Sequence, residues 1–534
     1  MKLFKTIPLR AWALVLSSAL LQVFIFPTGG PVSTFRCAFG WIALVPFLVA
    51  LALPARDQRP LTIAQSLVLG YLCGMVWYLG NCYWIYQTMY LYGGLPKPVS
   101  FAILILFALY LGLYHALFAG CFSVIRRARP GAVGALIAAP FLWVTIELAR
   151  GQITGFPWDL LGYSQVDNLW LTRLAPLAGV MALSFVLAAV NSAIASFFVV
   201  PGTRRSWLPL TAILLAVVLQ LGTPLHRTDI HEAASQTAVM MQENLEVGEM
   251  ARQARPLTLN QELDTFFGMS LAPVAEGTGS HQSQPPTVVI WPEAPSHFQS
   301  DDPAFRYAAM VLARTIDAPA ILGSLGVDRS SQSERGYYLY DSASLFDATG
   351  QYRGRYDKIH LVPWGEYVPF QQVFGFAHKL TEGVGNMDRG TARTVFTAGG
   401  HSYGVFVCYE SIFGEEVRQF AQNGAQVLVN ISDDGWYGDS GAPWQHLNMT
   451  RMRAIENHRW LLLDTNTGVT TSIDPQGREV AEAPRHVRGA YSFPFAFQSG
   501  TTLYTRWGDW FAWCCAFVSL VAISLCLSHK VSKP

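Results

Sequence analysis

The chain has 534 residues, of which 51% are hydrophobic and only 14% charged, and its formal net charge is +1. Soluble domains carry roughly 25% charged residues, so this composition is that of a membrane protein. A net charge near zero gives no support for a nucleic-acid partner.

From the N-terminus to about Leu221, apolar runs of membrane-spanning length alternate with short loops. Seven spans are expected there: Trp12–Phe26, Ala38–Leu53, Leu61–Cys82, Phe101–Ile125, Ala132–Ala149, Leu171–Val200 and Trp207–Leu221. An eighth is expected at Trp510–Leu527. Several fall short of the roughly 20 residues that cross a bilayer comfortably, which calls for tilt or interfacial extension. Leu171–Val200 is expected to begin with a short interfacial segment. The first run has the h-region of a signal peptide, but FPTGGP follows it instead of a small-residue cleavage site, so it reads as a retained anchor.

Positive charges orient the map. With a cytoplasmic N-terminus, the inside segments hold Lys2, Lys5, Arg10, Arg56, Arg59, Arg126, Arg127, Arg129, Arg204, Arg205, Lys530 and Lys533. The short outside loops hold only Arg36, Lys97, Arg150 and Arg173. That bias puts both termini inside and everything between Leu225 and about Arg506 outside. Three parts result: a membrane domain over 1–224, an extracytoplasmic domain over 225–506, and a last span with its tail over 507–534.

The outer part has a different texture. Strand-like runs are expected at Thr287–Ile290, Ala320–Gly323, Tyr340–Phe346, Gly404–Val407, Val427–Ile431 and Trp460–Asp464. Helical patterns fall at Asp302–Ile316, Phe413–Asn423 and Trp444–His458. Gly424 suits the residue after a helix end. Asp347–Gly350 and Asp474–Gly477 read as turns between strands. The class is α/β. Glu276–Pro286, rich in Gly, Ser, Gln and Pro, reads as a loop.

Of eight cysteines, Cys37, Cys73, Cys82, Cys121, Cys514, Cys515 and Cys526 lie in or beside spans. Only Cys408 lies in the outer part, where GVFVCYES runs a buried strand into a polar turn. In an oxidising compartment cysteines pair, and Cys408 has no mate in its domain. It is either a small buried residue or a nucleophile.

Two other segments also end a strand on an ionisable residue. TVVIWPEAP leads to Glu293 between Pro292 and Pro295, which stiffen the backbone around the carboxylate. RYDKIHLVPWGEYVPF carries Lys358 and then Glu366. Taken singly, each would pass for an ordinary surface charge. Together, a thiol, a carboxylate and an ammonium suit acyl transfer: nucleophile, proton acceptor and oxyanion partner. No Gly-x-Ser-x-Gly occurs in this part, and His360, His446 and His458 lack a nucleophile pattern. No His/Cys cluster has zinc spacing, and no metal or cofactor is expected.

WPE, DKIHLVPWGEYVP and CYES resemble the Glu–Lys–Cys motifs of the nitrilase (carbon–nitrogen hydrolase) superfamily. With its spans before and after, the whole chain resembles the apolipoprotein N-acyltransferase family of bacterial inner-membrane enzymes. The resemblance implies a polytopic helical membrane domain and a nitrilase-like αββα sandwich facing the periplasm. It implies Glu293 as base, Lys358 as oxyanion stabiliser and Cys408 as nucleophile, with Glu366, Tyr409 and Glu410 in support. It implies transfer of an acyl chain from a phospholipid to the N-terminal amine of a diacylglyceryl-cysteine apolipoprotein through a Cys thioester. Trp364, Tyr367, Phe370 and Trp436 are candidate substrate contacts. Two segments depart from the family pattern: MQENLEVGEMARQ lacks the usual Trp, and DDGWYG replaces an Asn-Asp-x-Trp-Phe-Gly motif. Both touch substrate recognition more than chemistry.

The apolar segment Tyr367–Phe376 suits a lid or an acyl-chain wall, or simple packing. Tyr83, Trp84, Tyr86, Tyr90, Tyr92, Phe156 and Trp158 suit an interfacial belt. Two other functions compete: a membrane-tethered amidase with the same triad, and a non-catalytic transporter or receptor. The latter would call for charges buried within spans, and only Glu147 approaches that.

Overall fold

The computed structural model describes residues 6–128, 131–202, 234–248, 257–276, 285–293, 298–333, 335–367 and 387–531. The span expected at Trp207–Leu221, Phe370, most of the Tyr367–Phe376 segment and most of the Glu276–Pro286 loop lie outside them.

Among the described residues, six helical stretches are long and apolar enough to cross a membrane: Thr34–Ala52, Ile63–Asn81, Lys97–Arg126, Ala132–Thr154, Val180–Val199 and Trp510–Ser528. Leu9–Phe24 is a shorter apolar helix in place of the first expected span. Thr34–Ala52 is broken near Ile42, and Asn191 repairs the break: its Oδ1 accepts the N–H groups of Leu44 (2.8 Å) and Val45 (3.1 Å). A backbone donor left open in lipid would cost several kcal/mol, so a buried Asn here is structural. Gly179, at φ +72°, separates the short helix Ala175–Ala178 from Val180–Val199, so the expected long run does begin with a separate segment.

The described residues between 236 and 495 build a sandwich of two six-stranded sheets. Strands β1 (Gln236–Gln242), β2 (Val288–Trp291), β3 (Ala320–Arg329), β4 (Tyr337–Phe346) and β5 (Tyr352–Asp357) form one sheet, with β12 (Gly489–Phe495) beside β1. Strands β6 (Val395–Ala398), β7 (His401–Val407), β8 (Val427–Ser432), β9 (Leu461–Thr465), β10 (Thr471–Ile473) and β11 (Glu479–Glu482) form the other. Both are mixed: β1–β2–β3 and β7–β8–β9 are parallel, and the outer pairs antiparallel.

Alternation of side chains builds the layers. Ala238, Met240, Val288 and Ile290 point into the core between the sheets, with Tyr403, Val405, Val427 and Val429. Val239, Met241, Val289 and Trp291 point the other way, onto Phe305, Ala309 and Leu312 of α1 (Pro303–Ile316). Asp302 caps that helix by accepting the N–H of Ala304 at 2.7 Å. Turns fall where expected: Asp347 Oδ1 accepts the N–H of Thr349 (2.9 Å), and Asp474 Oδ1 that of Gln476 (2.9 Å).

The helix α2 (Ala442–Asn457) seats the sandwich on the membrane helices and is buried almost throughout. Gln445 Nε2 donates to the carbonyls of Pro27 (2.8 Å) and Asn81 (3.1 Å), and its Oε1 accepts Trp158 Nε1 (2.7 Å). Glu456 Oε1 accepts the N–H of Val180 at 2.9 Å. The aromatic belt is therefore partly something else. Trp84, Phe156 and Trp158 are buried, and both Trp rings pack on Tyr437 of the sandwich. They form the joint between the two parts rather than a lipid-facing girdle. Glu147 and Arg150 are both buried within Ala132–Thr154. Glu147 accepts the N–H of Leu161 (2.7 Å), and Arg150 donates to the carbonyl of Trp158 (2.8 Å), so both brace the loop under that joint.

Candidate active site

Three strand ends meet. Glu293 follows β2, Lys358 follows β5 and Cys408 follows β7. The Lys358 ammonium is fully buried (0% exposed) and donates to Glu293 (2.8 Å), Glu366 (2.5 Å) and Asp341 (3.1 Å). The backbone carbonyl of Asp341, on β4, also accepts the backbone N–H of Lys358 at 2.8 Å. Sequence reasoning missed Asp341, because an Asp inside a strand has no pattern of its own and its role comes from the register of β4 with β5. Glu293, Asp341 and Glu366 offer oxygens within 4.8 Å of one another, the spacing of a metal site. Lys358 already supplies a cation at that spot.

One ammonium cannot neutralise three carboxylates, so their affinities for protons separate. Burial disfavours the charge on Glu293, but Lys358 and hydrogen bonds outweigh it and hold the acid down to about 2. Its other oxygen accepts the N–H of Asp433 at 2.7 Å. Burial pushes Asp341 well up, against the pull of Lys358, with the charges of Glu293 and Glu366 adding to the rise. Burial also raises Glu366. Lys358 is buried against its charge, yet the carboxylates push it well above its usual value. The Cys408 thiol is raised by burial and by Glu293, against the pull of Lys358. The resting state is thus a neutral thiol beside an ionised Glu293 and a charged Lys358.

Cys408 sits at φ +50° at the head of a short turn, Cys408–Ile412. A non-glycine residue in that region costs about 1–2 kcal/mol, and such strain collects at functional sites. Glu410 holds the turn. Its oxygens accept the Tyr356 hydroxyl (2.9 Å) and the N–H groups of Ile359 (2.7 Å), His360 (3.0 Å) and Val407 (2.8 Å). It thereby ties the segment after Lys358 to the strand before Cys408.

The other expected residues are more spread. The Tyr409 hydroxyl donates to the carbonyl of Gly155 (3.0 Å), at the end of a membrane helix. Trp364, exposed and at φ +65°, donates its N–H to the carbonyl of Tyr367 (2.8 Å) in one tight turn. Arg389 lies over the Tyr367 ring. Trp436 is half-buried at the joint, its carbonyl accepting Thr88 Oγ1 at 2.9 Å. His446, set aside for want of a partner, lies against Ser411 and Asp434.

Residues 18–193 match the model of the apolipoprotein N-acyltransferase N-terminal domain, and residues 280–491 that of carbon-nitrogen hydrolases. The apolipoprotein N-acyltransferase of Geobacter metallireducens is 34% identical over 99% of this chain and 97% of its own length. The chain belongs to the apolipoprotein N-acyltransferase family. The N-acyltransferase of Methylococcus capsulatus is 32% identical over 90% of this chain and 92% of its own. A solved amidase from Nesterenkonia sp. covers 50% of this chain at 18% identity and TM-score 0.35. As an N-acyltransferase of the nitrilase superfamily, the protein is a membrane enzyme with lipoproteins as the family's substrate class.

Proposed function

We propose that the enzyme moves an acyl chain from a phospholipid to the N-terminal amine of a diacylglyceryl-cysteine apolipoprotein through a thioester on Cys408. One observation carries this reading: the buried Lys358 ammonium, shared by Glu293 and Glu366, at the strand ends that also present Cys408. Glu293 takes the thiol proton as sulfur attacks the ester carbonyl. Lys358 stabilises the oxyanion, and Glu366 and Asp341 hold it in place and charged. The carbon–oxygen bond breaks, Glu293 returns the proton to the leaving lysophospholipid, and the acyl chain stays on sulfur. The acceptor amine then attacks the thioester, Glu293 takes its proton, the amide forms and the thiol is restored.

The positive-charge pattern supports a sandwich over residues 225–506 outside the inner membrane, between a membrane domain (1–224) and a last span (507–534). Trp364, Tyr367, Phe370 and Trp436 remain the proposed substrate contacts. The test is peptide mapping by mass spectrometry after incubating the full-length protein with phospholipid vesicles. An acyl adduct on the Cys408 peptide, absent from Cys408→Ser, is expected. An adduct elsewhere, or none, overturns the reading.

A further inference from the structure

A second polar group lies directly behind the nucleophile. Ser411, Asp434 and His446 are all buried, on the turn after β7, the turn after β8 and α2 respectively. His446 Nδ1 lies 3.0 Å from Asp434 Oδ1, and Asp434 also accepts Ser432 Oγ at 2.9 Å. On the other side, His446 Nε2 lies 2.6 Å from Ser411 Oγ and 3.2 Å from the carbonyl oxygen of Cys408. The Ser411 hydroxyl can donate or accept and so suits either state of Nε2, but the carboxylate at one ring nitrogen and the carbonyl at the other are both acceptors, and serving both takes a proton on each nitrogen.

We propose that His446 is a positioning residue: held as an imidazolium by Asp434, it donates to the Cys408 carbonyl and polarises the peptide unit that joins Cys408 to Tyr409. The N–H of that unit belongs to the residue after the nucleophile. It is among the first N–H groups of its turn, which have no partner within the turn. A peptide whose carbonyl is bonded to a cation is a stronger donor at its nitrogen. His446 therefore strengthens a donor available to the oxyanion, without touching substrate. Asn430 Nδ2 donates to the same carbonyl at 3.3 Å and adds to the effect. The contact also holds the strained φ of Cys408 from behind.

Charge on the ring follows from its surroundings. Burial opposes it, but Asp434, the Cys408 carbonyl and the charge of Glu293 outweigh burial and raise His446 above 6.5. Asp434 and, farther off, Glu293 are the acids facing the ring. Cys408 meets it through the carbonyl and Ser411 through the hydroxyl. Trp158 stacks on the remaining face at 6.5 Å, with Tyr437 packed behind it. The cation is present at lower pH and is lost as pH rises through the raised value.

This rests on the thioester reading, and one experiment separates the two. Thioester formation on Cys408 is timed by mass spectrometry across pH 5–10, for the full-length enzyme with phospholipid vesicles. The parent rate should fall on the alkaline side, although titration of a bare thiol would raise it. Asp434→Asn should move that limb to lower pH, because it removes the charge that stabilises the imidazolium. His446→Gln should lose the limb and run on the order of tenfold slower, less than the roughly 10²–10³-fold that loss of a whole oxyanion donor costs. A parent rate that is flat or rising through the alkaline range overturns the proposal, even if neither variant folds. So does an Asp434→Asn limb in the parent's place. No adduct at any pH would instead sink the thioester reading itself.

Discussion

Glu410→Gln is the most demanding single change, because it keeps the shape of the side chain and alters only donors and acceptors. Glu410 meets donors alone: one hydroxyl and three backbone N–H groups, at 2.7–3.0 Å. Burial raises its pKa, while the N–H groups of Val407, His360 and Ile359 and the charge of Lys358 work to keep it ionised. A Gln must turn an NH2 towards either Val407 or the Ile359–His360 pair. One charge-assisted bond is lost, worth roughly 1.5–3 kcal/mol, and a buried N–H is left facing a donor, at about 1–3 kcal/mol more. Relief of the buried charge offsets part of this, leaving a net loss of about 2–4 kcal/mol by the same figures. The loss falls on the contact that sets Lys358 against Cys408, where a 1 Å error costs roughly 10²-fold in rate. The assay is thermal unfolding in detergent together with the rate of thioester formation. A Glu410→Gln protein that melts lower but acylates at the parent rate would refute the positioning argument.

Lys358→Ala should slow thioester formation by about 10²–10³-fold, the cost of an oxyanion partner, measured by the same adduct assay. Glu416 makes a two-pronged pair with Arg393 (2.7 Å each) and meets His360. Burial would raise its pKa, but His360 and Arg393 outweigh that and hold it at about 2, below its ordinary 4.5. Its stabilisation is therefore full above 4.5 and is lost as pH falls towards 2. Glu416→Gln should lower Tm most at neutral pH, and the gap to the parent should close in acid. Gln445→Leu leaves one indole N–H and two carbonyls unpaired in the joint. At about 1–3 kcal/mol each, the loss should appear as a clear fall in Tm in detergent.

The candidate triad was legible because it sits where strands stop. The apolar runs that lead to Glu293 and Cys408 change character within a residue or two, and that change survives in one dimension, whereas Lys358 follows the polar strand YRGRYD and stood out only with the segment after it. Asp341 did not show, because its meaning lies in which strand pairs with β4. Ser411, Asp434 and His446 come from two turns and a helix, with no period joining them, so the sequence offered three unrelated polar residues. Strands β2, β3, β4, β7, β8 and β9 were visible as apolar runs. The outer strands β5, β6, β10, β11 and β12 were not, being short or partly exposed, and neither was β1, although most of it is buried. The aromatics at Trp84 and Trp158 read as a lipid belt because composition alone cannot separate a residue facing headgroups from one covered by a docked domain.

The central claim is transfer to an amine rather than to water. A thioester survives only where the site excludes water. The decisive measurement follows intact-protein mass after loading Cys408 from phospholipid, then adding a diacylglyceryl peptide with a free N-terminus. The adduct should persist with phospholipid alone and discharge on addition of the peptide, which then carries the acyl chain, while an N-acetylated peptide leaves the adduct in place. Discharge to free fatty acid at the same rate with or without the peptide would contradict the account.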